Sequence, residues 1–350
     1  MANLKLMKNK AENASYDVES LNHGRRVIDF LRFGFIAFAI SMLLVVGSIV
    51  VIFVKGFNLG QDFTGGTTIE ITLSKAVEID DIRASLKQAG YGEPVVQNYG
   101  SSQDIIIRLP ILKDDESNQQ NSNMTEDQKT QELNSALGAK IADLMHKYID
   151  SDAKIKRVAY VGPSVGSELA QDGILAILAA LISILIYIAI RFEWRFGTGA
   201  VVALAHDVII TAGYLSLFQR ELDLTIIAAM LSIIGYSLND TIVVFDRIRE
   251  NFRKIRRATS YDVINISLTQ TLSRTLMTSG TTLAVVVILY IFGGSMLRGF
   301  SETLGVGIIL GTISSIYVAA YMSLKMGIKR EHFIQQKVEV EGADQAPILR

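Results

Sequence analysis

Residues 231–250, "LSIIGYSLNDTIVVFDRIRE", have the composition of a membrane helix over most of their length and yet carry an aspartate at Asp240. A carboxylate at the centre of a spanning helix costs about 2.5–3.5 kcal/mol on insertion scales, and such residues usually face a bundle interior and mark ion paths or relays. Whether this stretch is a span decides the fold. Of the 350 residues, 49% belong to the apolar and aromatic set and 20% are charged, against about a quarter charged in a soluble domain. The apolar excess sits in long blocks, which is what a bilayer selects for. The chain reads as an α-helical polytopic membrane protein.

Crossing the hydrocarbon takes about 20 apolar residues, and the sequence predicts six spans: Phe33 to Val54, Gly173 to Ile190, Thr198 to Phe218, Leu224 to Phe245, Thr275 to Leu297 and Gly299 to Leu324. Six crossings put both termini on one side. Lys and Arg crowd the loops of that side, six before Phe33 and seven from Arg247 through Arg274, whereas the opposite short loops hold Arg220 and Arg298. The positive-inside rule then makes both termini cytoplasmic. The first span follows 32 polar residues and is expected to be an uncleaved anchor. The expected layout is a cytoplasmic segment 1–32, a first helix 33–54, an exported domain 55–170, spans two to six over 171–325 with a cytoplasmic loop 246–274, and a cytoplasmic tail 326–350.

The block 55–170 is the large extramembrane part, with 12 basic and 17 acidic residues. Strands are predicted in "GTTIEITLS", "EPVVQNY", "QDIIIRLP" and "AKIKRVAYVG", and helices in "EIDDIRASLKQAG" and "ELNSALGAKIADLMHKYI". The order βαββαβ is the ferredoxin-like α+β motif. Residues 113–131, polar and rich in Asn and Gln, are expected to be a disordered insertion. No nucleophile with a base, metal-ligand cluster or phosphate loop is present, so the domain reads as a binding or lever module rather than an enzyme, and no cofactor is expected. His146 reads as a surface histidine. With no cysteine, disulfides and thiol chemistry are excluded.

Several residues could carry chemistry. Asp240, with Asn239 beside it and Gly235 and Ser237 nearby, suits either an ion path or a polar contact between helices. Asp240 and Arg274 are equally far in sequence from Arg257, so a hairpin of spans four and five places them at one depth with opposite charge. Arg274 is then an ion partner or an arginine snorkelling to the membrane edge. His206 and Asp207 in span three either pass a proton or bond across helices. Asp246 and Arg247 open the charged run "DRIRENFRKIRR", a topological signal on a helix along the inner surface. Asp62, Gly65 and Gly66 lie in "DFTGG", where the glycines permit a tight turn into a strand. Gly307 and Gly311 in "GVGIILG" have GxxxG spacing, and with the Ser/Thr run of span five they suggest a compact five-helix bundle behind span one.

Taken together, "DFTGGT", "SLNDTIVVFDRIREN", "SLTQTLSRTLMTSGTTL" and the tail "KREHFIQQKVEVEGADQ" closely resemble the SecF side of the SecD/SecF family of the RND superfamily. The resemblance covers nearly the whole chain and implies an RND-type half bundle of six helices with one periplasmic domain. It implies a bacterial inner-membrane subunit of the Sec protein translocase that works with SecD beside the SecYEG channel, with YajC and YidC as further partners. In that reading the proton motive force helps move preproteins at a late stage, with Asp240 and Arg274 at the proton-transport positions. The competing expectation is an RND-like proton-coupled exporter of a small molecule or lipid; a six-span chain looks like half of such a machine. A structural scaffold is the third.

Overall fold

The computed structural model describes residues 16–99, 101–110 and 126–333. Six helices are long and apolar enough to cross a membrane. The first, α1 (Gly34–Lys55), ends at Gly56 and is followed by the two-residue strand β1 (Asn58–Leu59) and the one-turn helix α2 (Gln61–Thr64). The extramembrane unit then runs β2 (Gly66–Thr72), α3 (Ile79–Gln88), β3 (Val95–Tyr99), β4 (Ser101–Leu109), α4 (Glu126–Tyr148) and β5 (Lys154–Val161). The remaining spans are α5 (Pro163–Arg191), α6 (Trp194–Leu217), α7 (Leu224–Lys254), α8 (Ser260–Phe292) and α9 (Gly294–Ser314), with β6 (Glu221–Leu222) between α6 and α7. A π turn at Ser315–Ala319 and α10 (Ala320–Lys325) continue α9.

The spans are longer than hydropathy suggests, because polar residues beyond the hydrocarbon still close the helical hydrogen bonds. Helix α7 has 31 residues, about 46 Å at 1.5 Å per residue, against about 30 Å of hydrocarbon. The expected loop 246–274 is therefore corrected to a turn at 255–259, and "DRIRENF" is the end of α7 rather than a separate surface helix. Likewise Arg298 lies within α9, not in a loop, and the chain turns at Gly293 between α8 and α9. On the other side of the domain, α5 begins at Pro163, eight residues before the expected boundary. Asp223 caps α7 by accepting from the amide of Ile226 at 2.8 Å, and Thr259 caps α8.

The extramembrane sheet has strand order β3-β4-β2-β5, with each neighbouring pair antiparallel. Alternation along β2 puts Ile69 and Ile71 into a core with Ile105 and Ile107 of β4, Ile82 and Leu86 of α3, and Ile141 of α4. Thr68 and Glu70, one residue out of step, face the other way, toward the membrane bundle. The expected insertion at 113–131 falls mostly on residues outside those described; its last part, 126–131, is helical, a correction. His146 is exposed, one ring nitrogen 2.7 Å from the carbonyl of Ala153. Asp150 is held by the amide of Ser74 at 2.6 Å and by its hydroxyl at 2.7 Å.

In the membrane the bundle is not five equal helices. About half of the apolar window of α6, α7 and of the span containing α9 is buried, but under a fifth of that of α1, α5 and α8. The core is three helices with three around it. The GxxxG pair explains how closely it packs: a Cβ on Gly307 would lie 2.3 Å from Cδ1 and Cγ1 of Ile233, and one on Gly311 3.2 Å from Cβ of Ser237. Gly307 and Gly311, four apart on α9, thus lie along Ile233 and Ser237, four apart on α7. At the end carrying the termini, Phe196, Phe245, Phe252 and Phe333 pack together, with Phe196 and Phe245 centroids 4.7 Å apart.

Gly307→Ala is expected to cost about 1–3 kcal/mol through overpacking, whereas Gly235→Ala, which meets nothing within 4 Å, is expected to be silent; thermal unfolding in detergent compares the two. The hydroxyl and amide of Ser74 hold the Asp150 carboxyl below its usual range. That stabilisation is complete above the unfolded carboxyl value of about 3.9 and is lost as pH falls through the lower folded value. Hydrogen exchange of β2 amides in the full chain should accelerate there, and Asp150→Asn should remove the transition.

Candidate functional site

Two carboxylates lie inside the bundle. Asp207 of α6 is fully buried and accepts three hydrogen bonds: from His206 Nδ1 at 2.8 Å, Ser237 Oγ of α7 at 2.5 Å and Ser314 Oγ of α9 at 2.7 Å. Asp240 of α7 is 5% exposed and accepts from Ser315 Oγ at 3.1 Å. Adjacent serines of one helix therefore hold the carboxylates of two others, and the π turn begins at the second of them. A helix with uniform 100° steps separates neighbouring side chains, which is how Ser314 and Ser315 reach different helices.

Beside these carboxylates, His206 Nε2 makes no hydrogen bond among the described residues, and the buried hydroxyl of Thr275 lies next to Asp240. Further hydroxyls link α7, α8 and α9: Tyr236 donates to Ser279 at 3.0 Å, and Ser279 meets Thr312 at 2.7 Å.

The hairpin geometry places Asp240 and Arg274 as the spacing anticipates, on helices flanking the 255–259 turn. No ion pair between their side chains falls among the described contacts: Arg274 is exposed, and its neighbour Thr275 is the residue that turns inward beside Asp240. Asn239 is also exposed, and Gly235 opens onto space. One residue along a helix rotates a side chain by 100°, so Asn239 cannot share the face of Asp240, whereas Ser237, three residues back, can. Asp246 pairs with Arg191 of α5 at 2.7 Å and Arg247 with Glu250 at 2.9 Å, both part exposed.

The "DFTGG" segment does more than turn. Gly65 and Gly66 have φ of +73° and +131°, and a Cβ on Gly66 would lie 2.3 Å from the carbonyl oxygen of Leu109, so side chains are excluded there. Asp62 accepts from the amide of Leu224 at 3.0 Å, tying the segment to the first turn of α7. A carboxylate at that helix end also suits its dipole. Sequence reasoning missed Ser314, Ser315 and Thr275; the run "TISS" and the "SRTLMTSG" opening of span five were the available signal. It also missed Asp29, which accepts from Tyr261 and, at 2.9 Å, from Asn265 on α8.

Residues 140–329 match the family model described as protein export membrane protein SecD/SecF, C-terminal, and residues 50–77 match the SecD/SecF GG motif. Protein translocase subunit SecF of Escherichia coli O157:H7 is 56% identical over 334 residues, covering 95% of this chain and 98% of that protein. The protein of the same name from Pseudomonas aeruginosa is 43% identical over 308 residues, 88% of this chain and 94% of that one. The crystal structure of SecDF, a translocon-associated membrane protein, from Thermus thermophilus superposes with a TM-score of 0.69 at 35% identity; the match covers 92% of this chain but 41% of that one. The chain belongs to the SecD/SecF family of protein export membrane proteins, as a translocase subunit of the SecF type.

Removing Asp207 strands three donors in an apolar bundle. Asp207→Ala is expected to cost about 3–5 kcal/mol, and Asp246→Ala, which breaks a part-exposed pair, no more than about 1 kcal/mol. Equal losses of thermal stability in detergent would refute the ranking.

Proposed function

We propose that this chain works in the bacterial inner membrane with a SecD-type partner, and that the proton motive force acts through its buried carboxylates to assist late preprotein movement beside the SecYEG channel, with YajC and YidC as accessory neighbours. The two carboxylates held by adjacent serines of α9 carry this reading. The basic excess on the side of the termini supports cytoplasmic termini and a periplasmic domain at 55–170, and the strand order β3-β4-β2-β5 with its βαββαβ sequence supports a ferredoxin-like unit. That unit serves as a lever or binding module, not an enzyme.

A proton reaching Asp240 removes its charge and makes it a donor, and the neighbouring Thr275 hydroxyl can turn to accept from it. The hold of Ser315 is then open to exchange, and α9 can repack against α7. Arg274, at the same level, sets the local potential rather than locking the carboxylate. His206 and Asp207 form a second polar group on the same helix contacts, the imidazole lying 2.8 Å from the buried carboxylate. Asn239, Asp246, Arg247 and the glycines of "DFTGG" and of α9 support the site rather than carry protons. Moving one charge through the field is worth about 2.3 kcal/mol per 100 mV, enough to bias a two-state helix contact.

Asp240→Asn keeps shape and removes the titrating group. In inverted membrane vesicles the variant is expected to lose the stimulation of preprotein translocation by a proton gradient while ATP-driven translocation continues. Undiminished stimulation would overturn the proton role.

A further inference from the structure

The open face of the sheet stands over the bundle across a cleft of about 790 Å³, lined by Thr68, Glu70 and Gln97 on one side and by Arg220, Asp223 and Glu302 on the other. The chain enters and leaves the domain at one place. Helix α2 packs on the start of α5, so closely that a Cβ on Gly166 would lie 2.8 Å from the carbonyl oxygen of Phe63 and 3.1 Å from the amide of Gly65. The two connections thus form a narrow stalk, and Gly65 and Gly66 give it backbone angles closed to other residues. Apart from this stalk and the close approach of β3 to α9, the sheet stands clear of the bundle across the cleft, so its tilt depends on the side chains that bridge it.

That hold is visible. Arg108, projecting from β4 across the cleft, pairs with Glu221 at 2.6 Å, and each side chain is 26% exposed. Glu221 belongs to β6, which pairs in parallel with β1, so the acceptor is fixed to the strand leaving α1. Its neighbour Arg220 donates to Glu302 Oε1 at 2.7 Å, and Tyr214 of α6 donates to the same oxygen. Glu302 is on α9, which ends at Ser314 and continues into the π turn at Ser315, the two serines that hold the buried carboxylates. One rigid helix therefore touches both the carboxylates and the segment that carries Glu221.

We propose that Arg108 and Glu221 form a latch holding the extramembrane sheet down on the bundle, and that Glu302, acting through Arg220, lets the position of α9 decide whether the latch is closed. This rests on the proton-driven reading above for its trigger, but the latch itself is a property of the resting molecule. A shift of α9 along its axis carries Glu302 away from Arg220, the Arg220–Glu221 segment relaxes, and the sheet is released to tilt about the glycine stalk. Arg108, Glu221, Arg220 and Glu302 are positioning residues; none of them carries the transported proton.

The chain contains no cysteine, so a single Gln97→Cys change in the cleft reports opening by its rate of maleimide labelling, in membranes holding the full chain with its SecD-type partner. Arg108→Glu and Glu221→Arg are each expected to speed labelling by about tenfold, the size of a coupled ion pair, and to weaken gradient-driven translocation. The double exchange, Arg108→Glu with Glu221→Arg, restores both, which general misfolding would not do. Glu302→Ala speeds labelling with the pair intact. If the double exchange labels as fast as the single variants, or Glu302→Ala labels no faster than the parent, the latch is wrong. Failure of the proton reading shows elsewhere: Asp240→Asn would leave gradient stimulation intact while the charge-exchange pattern persisted.

Discussion

Two carboxylates buried among apolar helices must find every hydrogen bond within the bundle, and the arrangement of α9 follows from that requirement. Ser314 and Ser315 can serve Asp207 of α6 and Asp240 of α7 only if the end of α9 lies close to both helices. Gly307 and Gly311 allow that approach, since any side chain at Gly307 would collide with Ile233. Without a hydrophobic force between helices in lipid, such close packing and side-chain hydrogen bonds are what hold spans together. The glycines and serines are therefore one device. The π turn that begins at Ser315 is the local adjustment that follows, since inserting one residue into a helical turn redirects the side chains around it.

The two ends of the bundle differ in how firmly they are tied. On the side of the termini, Asn251 of α7 donates to Ser267 and Gln270 of α8, Gln270 donates to Asn22, and Asp29 accepts from Tyr261 and Asn265. The aromatic cluster of Phe196, Phe245, Phe252 and Phe333 packs at that end as well. At the opposite end a buried cluster of Leu215, Ile226, Met230 and Ile233 packs beside the part-exposed pairs of Arg108 with Glu221 and Arg220 with Glu302. Part-exposed pairs exchange partners at little cost, and packed aromatics do not.

Much of this was legible in the residues. Hydrophobic blocks located six spans, and alternation located four strands that occur with two helices in the order βαββαβ. The depth match of Asp240 with Arg274 followed from counting, because both helices run unbroken to the short turn. Which side chain turns inward did not follow, because it depends on rotation about each axis: Thr275 rather than Arg274, and Ser237 rather than Asn239, face the carboxylates. Helix ends were misplaced for a different reason. Hydropathy registers what is soluble in lipid, and α7 and α8 continue as helices through polar sequence to Lys254 and from Ser260. Contacts distant in sequence, such as Asp29 with Asn265 or Arg108 with Glu221, leave no local pattern at all.

The exposed polar residues argue for what the chain lacks. Arg274 and Asn239 lie outward on spanning helices at the level of the buried carboxylate, and Ser232 and Gly235 continue that stripe along α7. An arginine can snorkel toward the membrane edge, but an asparagine is too short to do so and has no comparable escape. In hydrocarbon its amide needs partners from another helix. With α1, α5 and α8 also largely unburied, the six helices present the economy of half a bundle: a satisfied three-helix core and an outer polar stripe that only a second set of helices would satisfy. The SecDF structure, in which a chain like this one accounts for 41% of the length, is consistent with that economy.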